Sequence, residues 1–101
     1  MAKTPERKVK DKVVAQLKTL GAYYFYPVTG GYGASGVPDI IGCYKGRFFG
    51  IECKANGNTP TALQWMNLEK IAAQGGIALV IDETNVNDVK TILENAHGLL
   101  E

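Results

Sequence analysis

The sequence predicts an α/β protein, with a single mixed β-sheet flanked by helices in one domain spanning residues 1–101. Three observations predict it. Segments of helical periodicity alternate with short apolar or aromatic runs, in the order helix, three strands, helix, strand, helix. Turn residues punctuate the boundaries at Gly21, in the glycine-rich stretch 30–36, at Lys45-Gly46 and at Gly75-Gly76. A length of 101 residues, 46% of them hydrophobic, supplies one core and not two.

Each element has a local cause. Thr4-Pro5-Glu6 is a helix start, with a cap, a proline at the first helical position and an acid in the first turn. That helix is expected to run to Leu20 and stop at Gly21. The aromatic run 22–27 reads as a strand. Strands over 38–44 and 47–54 follow, joined by a Lys45-Gly46 hairpin turn. Thr59-Pro60 is expected to open a second helix reaching Gln74. "IALVI", residues 77–81, is apolar on both faces and reads as a fully buried strand. A last helix near 85–96 carries Val86, Val89, Ile92 and Leu93.

Composition excludes several classes. No apolar run is long enough to span a bilayer, and no apolar segment follows the basic N-terminus, so a cytoplasmic protein without a signal peptide is expected. Cys43 and Cys53 fall on opposite faces of the hairpin, which argues against a disulfide and for buried thiols. No Cys/His cluster has zinc-site spacing. Residues 1–20 carry six Lys/Arg against Glu6 and Asp11, whereas 82–101 carry five acids against Lys90, so an anionic partner would be met at the N-terminal half. Gly31-x-Gly33-x-x-Gly36 matches a dinucleotide fingerprint in form only. The fingerprint needs a helix directly after it, and here Val37-Pro38 leads into a strand.

The chemistry lies in the charges that interrupt the hairpin. With Lys45-Gly46 as the turn, Tyr44 faces Arg47, Cys43 faces Phe48, Asp39 faces Glu52 and Pro38 faces Cys53. Alternation then projects Asp39, Glu52 and Lys54 from one face, alongside Ile41, Cys43 and Phe48. Two acids facing each other need positive charge between them. Lys54 supplies part of it, and a divalent metal with a preference for carboxylate oxygens, Mg²⁺ or Mn²⁺, supplies more. On the first helix, Glu6 falls on the inward stripe defined by Val9, Val13, Leu17 and Leu20, while Asp11 faces solvent. On the second helix, Gln64 aligns with Leu68, Ile71 and Gly75, which makes it a supporting group for the site. Leu63 and Met66 lie off that buried stripe and suit an interface.

Pro38-Asp39, twelve intervening residues and Glu52-Cys53-Lys54 resemble the PD-(D/E)XK motif of metal-dependent nucleases. More closely, residues 5 to 82 resemble a stand-alone virus-type replication-repair nuclease (VRR-NUC) domain. Glu6, "SGVPDIIG", "FFGIECKA", the Thr-Pro-x-x-x-Gln64 helix start and "GGIALVI" carry the resemblance. Cys53 stands where an aliphatic residue is more usual. The resemblance implies a restriction-endonuclease-like αβββαβ core plus a C-terminal helix, and phosphodiester hydrolysis with Mg²⁺ or Mn²⁺. It implies that Glu6, Asp39, Glu52 and the Cys53 backbone carbonyl hold the metal. By the same resemblance Lys54 orients the attacking water and stabilises developing charge, and Gln64 supports the site. Stand-alone members resemble homodimeric resolvases of four-way DNA junctions. Lys8, Lys10, Lys12, Lys45 and Arg47 are the basic candidates for DNA contact. The competing classes are a flap-type or non-specific nuclease, a catalytically inert DNA-binding module of the same fold, and a structural protein whose sheet charges form a salt cluster.

Overall fold

The computed structural model describes residues 2–28 and 36–98. The Gly31 and Gly33 part of the glycine-rich loop therefore lies outside the described residues.

Helix α1 (Pro5–Leu20) begins where expected. The Thr4 hydroxyl accepts a hydrogen bond from the Arg7 amide at 3.1 Å, and Pro5 occupies the first turn, where no amide donor is missed. It ends at Gly21, whose φ of 73° is the left-handed conformation a glycine adopts freely. The Gly21 and Ala22 amides then close back on the carbonyls of Lys18 and Leu17.

Strands β1 (Tyr23–Phe25), β2 (Ile40–Tyr44), β3 (Arg47–Cys53) and β4 (Ile77–Ile81) form one sheet in the order β1-β2-β3-β4. β1 and β2 are antiparallel, as are β2 and β3, while β4 is parallel to β3. The hairpin register is the expected one, running from Tyr44↔Arg47 to Ile40↔Ile51. Lys45 at φ 48° and Gly46 at φ 85° make the paired left-handed turn that matches strand twist.

Several features differ from expectation, beginning with β1, which spans only Tyr23–Phe25 of the expected 22–27. The β2–β3 ladder stops at Ile40↔Ile51, short of Asp39 and Glu52. The Cys53 amide, which would continue it, donates instead to Asp39 Oδ2 at 2.8 Å. Helix α2 (Ala62–Ala73) is capped by Thr61, not opened by Thr59-Pro60. Thr61 has glutamine three residues on, and the two residues cap each other reciprocally, which Thr59 with Ala62 cannot do. β4 is an edge strand, so Ile77 and Ile81 are buried but Ala78, Leu79 and Val80 only partly so. The last helix is likewise split, into a 3-10 turn at Val86–Asp88 and helix α3 (Val89–Gly98).

The faces follow from alternation. Ile40, Phe49, Ile51, Cys53, Ile77 and Ile81 pack with Val9, Val13 and Leu17 of α1 and with Val86, Val89 and Leu93. α2 covers the other face, where a Cβ on Gly50 would lie 2.7 Å from Ile71 Cδ1. A side chain there would oblige the Ile71 side chain to move, so glycine lets α2 pack closely over β3. Gln16 ties α1 to α3, its amide donating to the Val86 carbonyl and its oxygen accepting from the Lys90 amide. Both cysteines are free, Cys53 buried and Cys43 only partly so. Among the described residues no helix is long and apolar enough to cross a membrane.

Candidate metal and phosphodiester site

Where the hairpin ladder stops, two carboxyl groups meet. Glu52 is 1% exposed, the one charged residue in the buried set, and neither of its oxygens has a hydrogen-bond partner among the described residues. Lys54 Nζ stands 3.9 Å from Glu52 Oε2, at the outer limit of an ion pair. Burial first, and then the adjoining Asp39 carboxyl, push the Glu52 acid up to about 8, with Lys54 opposing them. Two ionised carboxylates offer each other no donor. A proton on Glu52 would be shared with Asp39, and a cation between them would serve the same end.

Asp39 itself is held. Its Oδ2 accepts the Cys53 amide, which locks the acid to the end of β3. Its approach is fixed from the other side by Gly36 at φ 79°, where a Cβ would come within 2.6 Å of the Leu63 carbonyl carbon and 2.8 Å of the Gln64 nitrogen. The chain entering Val37-Pro38-Asp39 thus rests on the first turn of α2. Gln64 Oε1 accepts the Thr61 amide at 2.9 Å. Its visible work is to cap the helix on which that segment rests.

Glu6 is exposed, although the helical wheel sets it with Val9 and Val13, because the first turn of α1 borders a cleft and not the core. That cleft, of about 570 Å³, is lined by Ala2, Lys3, Thr4, Glu6, Arg7, Lys10 and Asp39. Glu6 and Asp39 therefore share one hollow, and Asp39 joins it to Glu52. Among the described residues no three Asp, Glu, Cys or His side chains converge closely enough to form a metal cluster. The donor set nevertheless suits a hard divalent cation, since a buried carboxylate without a partner is the group such an ion would satisfy. The Cys53 thiol is pushed up to about 12, by burial and then by Asp39 and Glu52, so its sulfur stays a thiol at neutral pH. Its backbone carbonyl lies on the same strand end, between Glu52 and Lys54.

The basic candidates separate in space. Lys10 lines the Glu6–Asp39 cleft, together with Lys3 and Arg7. Lys8 and Lys12 line a different hollow with Pro5, Val9, Glu83 and Val86. Lys45 and Arg47 sit at the turn end of the hairpin, roughly 17 Å from Glu52 at ~3.4 Å per residue. Arg47 donates to the carbonyls of Gly75 and Ala96, each at 3.0 Å, so its guanidinium ties three elements together. Sequence reasoning missed Lys3, Arg7 and Tyr26. Arg7–Asp11 has visible (i, i+4) spacing, but Tyr26 gave no signal beyond its place in an aromatic run.

A four-stranded mixed sheet with paired acids at the ends of β2 and β3, and a helix on either side, defines a class of protein. No family model matches the sequence. The chain has the fold of a solved VRR_NUC domain, with a TM-score of 0.71 over 91% of this chain and 97% of that one, at 19% sequence identity. Among curated proteins it is similar to "Putative nuclease p44" of Acyrthosiphon pisum secondary endosymbiont phage 1. That similarity is 26% identity over 85 residues, covering 83% of this chain and 89% of the relative.

Proposed function

We propose that the protein is a divalent-metal-dependent, structure-selective DNA endonuclease that resolves four-way (Holliday) junctions by phosphodiester hydrolysis. The observation that carries this reading is the Glu52 carboxyl group, buried beside Asp39 with no hydrogen-bond partner among the described residues and 3.9 Å from Lys54. A purely structural salt cluster would satisfy those oxygens. The VRR_NUC fold and the name of the phage relative point the same way.

In this reading Glu6, Asp39, Glu52 and the Cys53 carbonyl would hold Mg²⁺ or Mn²⁺. The ion supplies Lewis acidity and offsets the charge of the phosphodiester. Asp39 is positioned for this by the Cys53 amide, which fixes Oδ2 and leaves Oδ1 for a cation. Lys54 is paired only loosely, so its ammonium remains available to orient the attacking water and to stabilise charge building on the phosphoryl oxygens. Water attacks phosphorus, the bond to the leaving sugar oxygen breaks, and that oxygen takes a proton. Gln64 acts indirectly, through the helix turn that props the Asp39 segment.

Two copies acting together suit a symmetric junction, since a C2 dimer presents two symmetry-related sites. Tyr23, Phe25 and Phe48 on the sheet face beside α2, with Leu63 and Met66 on α2, are each 44% or more exposed. This is apolar surface that a second copy would cover.

The test is cleavage of labelled four-way junction, flap and linear duplex DNA, with Mg²⁺ or Mn²⁺ against EDTA, beside Asp39→Ala. Paired, metal-dependent junction cuts that fall on the order of 10³-fold or more in the variant are expected. Flap or linear cutting alone would keep the nuclease and remove the resolvase. Binding of junctions without any cutting would put an inert DNA-binding module in its place.

A further inference from the structure

Helix α1 carries two acid–base pairs at (i, i+4) spacing, and they behave differently. Arg7 Nε closes on Asp11 Oδ1 at 3.0 Å, and Lys3 Nζ reaches Asp11 Oδ2 at 2.6 Å. Glu6 and Lys10 have the same spacing in the favourable order, acid first. They form no ion pair, and the Glu6 carboxylate makes no side-chain hydrogen bond among the described residues. The Lys10 ammonium lies instead over the Tyr26 ring, 4.6 Å from its centroid. Tyr26 is itself braced edge-on by Tyr24, at a centroid separation of 6.1 Å. Lys10 also borders both the Glu6–Asp39 cleft and a smaller hollow shared with Arg7, Asp11 and Tyr26. An aromatic ring holds an ammonium without neutralising it, whereas Glu6 would do both.

We propose that Lys10 is the cation that takes a DNA phosphate at the Glu6–Asp39 cleft, and that Tyr26 is its positioning residue, keeping the ammonium off Glu6. The proposal rests on the DNA-cutting reading and singles out one of the five basic candidates. Two unlike charges side by side on a helix would otherwise cancel. Drawn apart by Tyr26, they leave a carboxylate for a cation and an ammonium for an anion within a single cleft.

The latch is read first in the metal-free protein. The Lys10 Cε protons should show an upfield ring-current shift by NMR that Tyr26→Leu abolishes and Tyr26→Phe keeps. Binding of four-way junction DNA is then measured in EDTA across a salt series. Lys10→Met should weaken binding on the order of tenfold and lower the salt slope by about one ion. Tyr26→Leu should weaken it by a similar factor, Tyr26→Phe should not, and Tyr26→Leu/Lys10→Met should be no worse than Lys10→Met alone. With metal present the loss should fall on KM and not on kcat. Lys18→Met, in the last turn of the same helix, controls for the removal of one charge, and circular dichroism checks the fold of every variant. An absent ring-current shift, or additive losses in the double variant, would overturn the positioning role. Undiminished binding by Lys10→Met beside a binding wild type would overturn the proposal and leave the nuclease standing. A wild type that binds no form of DNA would overturn both.

Discussion

The two ends of the β2–β3 hairpin carry similar numbers of charges and treat them in opposite ways. At the turn end, Arg47 places its guanidinium on the Gly75 and Ala96 carbonyls and so ties β3 to the turn after α2 and to α3. At the open end, Glu52 is buried with neither oxygen hydrogen-bonded among the described residues, beside a second acid and a lysine 3.9 Å away. One end spends its charge on folding. The other buries an acid whose ionisation its surroundings oppose, and folding alone cannot explain it, because an apolar residue of similar size would suit that position at least as well. Where net stability is only ~5–15 kcal/mol, such a cost persists where function needs it.

The largest expected effect on stability comes from replacing that buried acid. The Glu52 acid sits at about 8 in the folded protein against an ordinary 4.5. The folded state therefore binds this proton more tightly than the unfolded chain does. Its contribution is complete below about pH 4.5, is lost as pH rises toward 8, and changes no further above that. In EDTA, Glu52→Gln should thus gain stability over wild type as pH rises from 5 to 8.5, by on the order of a few kcal/mol. Asp11 and Asp82, whose acids are lowered by hydrogen bonds, act in the opposite sense at low pH and cancel between the two proteins. Denaturant titrations at several pH values measure the difference. Mg²⁺ or Mn²⁺ should close the gap at pH 8.5 by stabilising wild type alone. A difference that does not vary with pH would mean that Glu52 is no strained acid, and the contrast between the two ends would collapse.

At the other end the effect is smaller and should leave chemistry untouched. Arg47→Met removes two charge-assisted bonds to carbonyls and should cost about 2 kcal/mol. That lowers the melting temperature by roughly 10 °C in a domain of this size. Arg47→Lys keeps the charge but not the planar fork, and should lose most of the same stability. Cleavage per folded molecule should be unchanged in both. If junction affinity falls while the melting temperature holds, Arg47 is a DNA contact after all and the turn end is not merely structural.

What the sequence disclosed and what it hid divide along the same physical line. The hairpin register was legible because Lys45-Gly46 allows one turn geometry and strand alternation fixes parity from there. The limits of α1 were legible from Thr4-Pro5 and Gly21, since caps are local chemistry. The meeting of Asp39 and Glu52 followed from that parity. The point where the ladder ends did not, because it depends on the Cys53 amide preferring a side-chain oxygen to a strand partner. Nor did the edge position of β4, which is decided by what the rest of the chain leaves uncovered. Nor did the Lys10–Tyr26 contact, which joins a helix to the chain just beyond β1 across a gap no periodicity spans.

Gln64 gives the smallest effect and the sharpest division between the two kinds of work. Its alignment with Leu68 and Ile71 suggested a supporting role in the site, and its Oε1 is engaged by the Thr61 amide. Gln64→Ala removes half of the reciprocal cap and should cost about 1 kcal/mol. Glutamate makes the same cap, so Gln64→Glu should keep the melting temperature of wild type. If Gln64 serves only to hold the turn beneath Gly36, Gln64→Glu should also cut DNA as wild type does. If its amide instead works beside the paired acids, the added negative charge should lower the rate severalfold at unchanged stability. A melting curve and a cleavage rate on this one variant thus separate a helix cap from a group in the site. The two roles look alike on a helical wheel, and they part only when the charge of the side chain is changed without its shape.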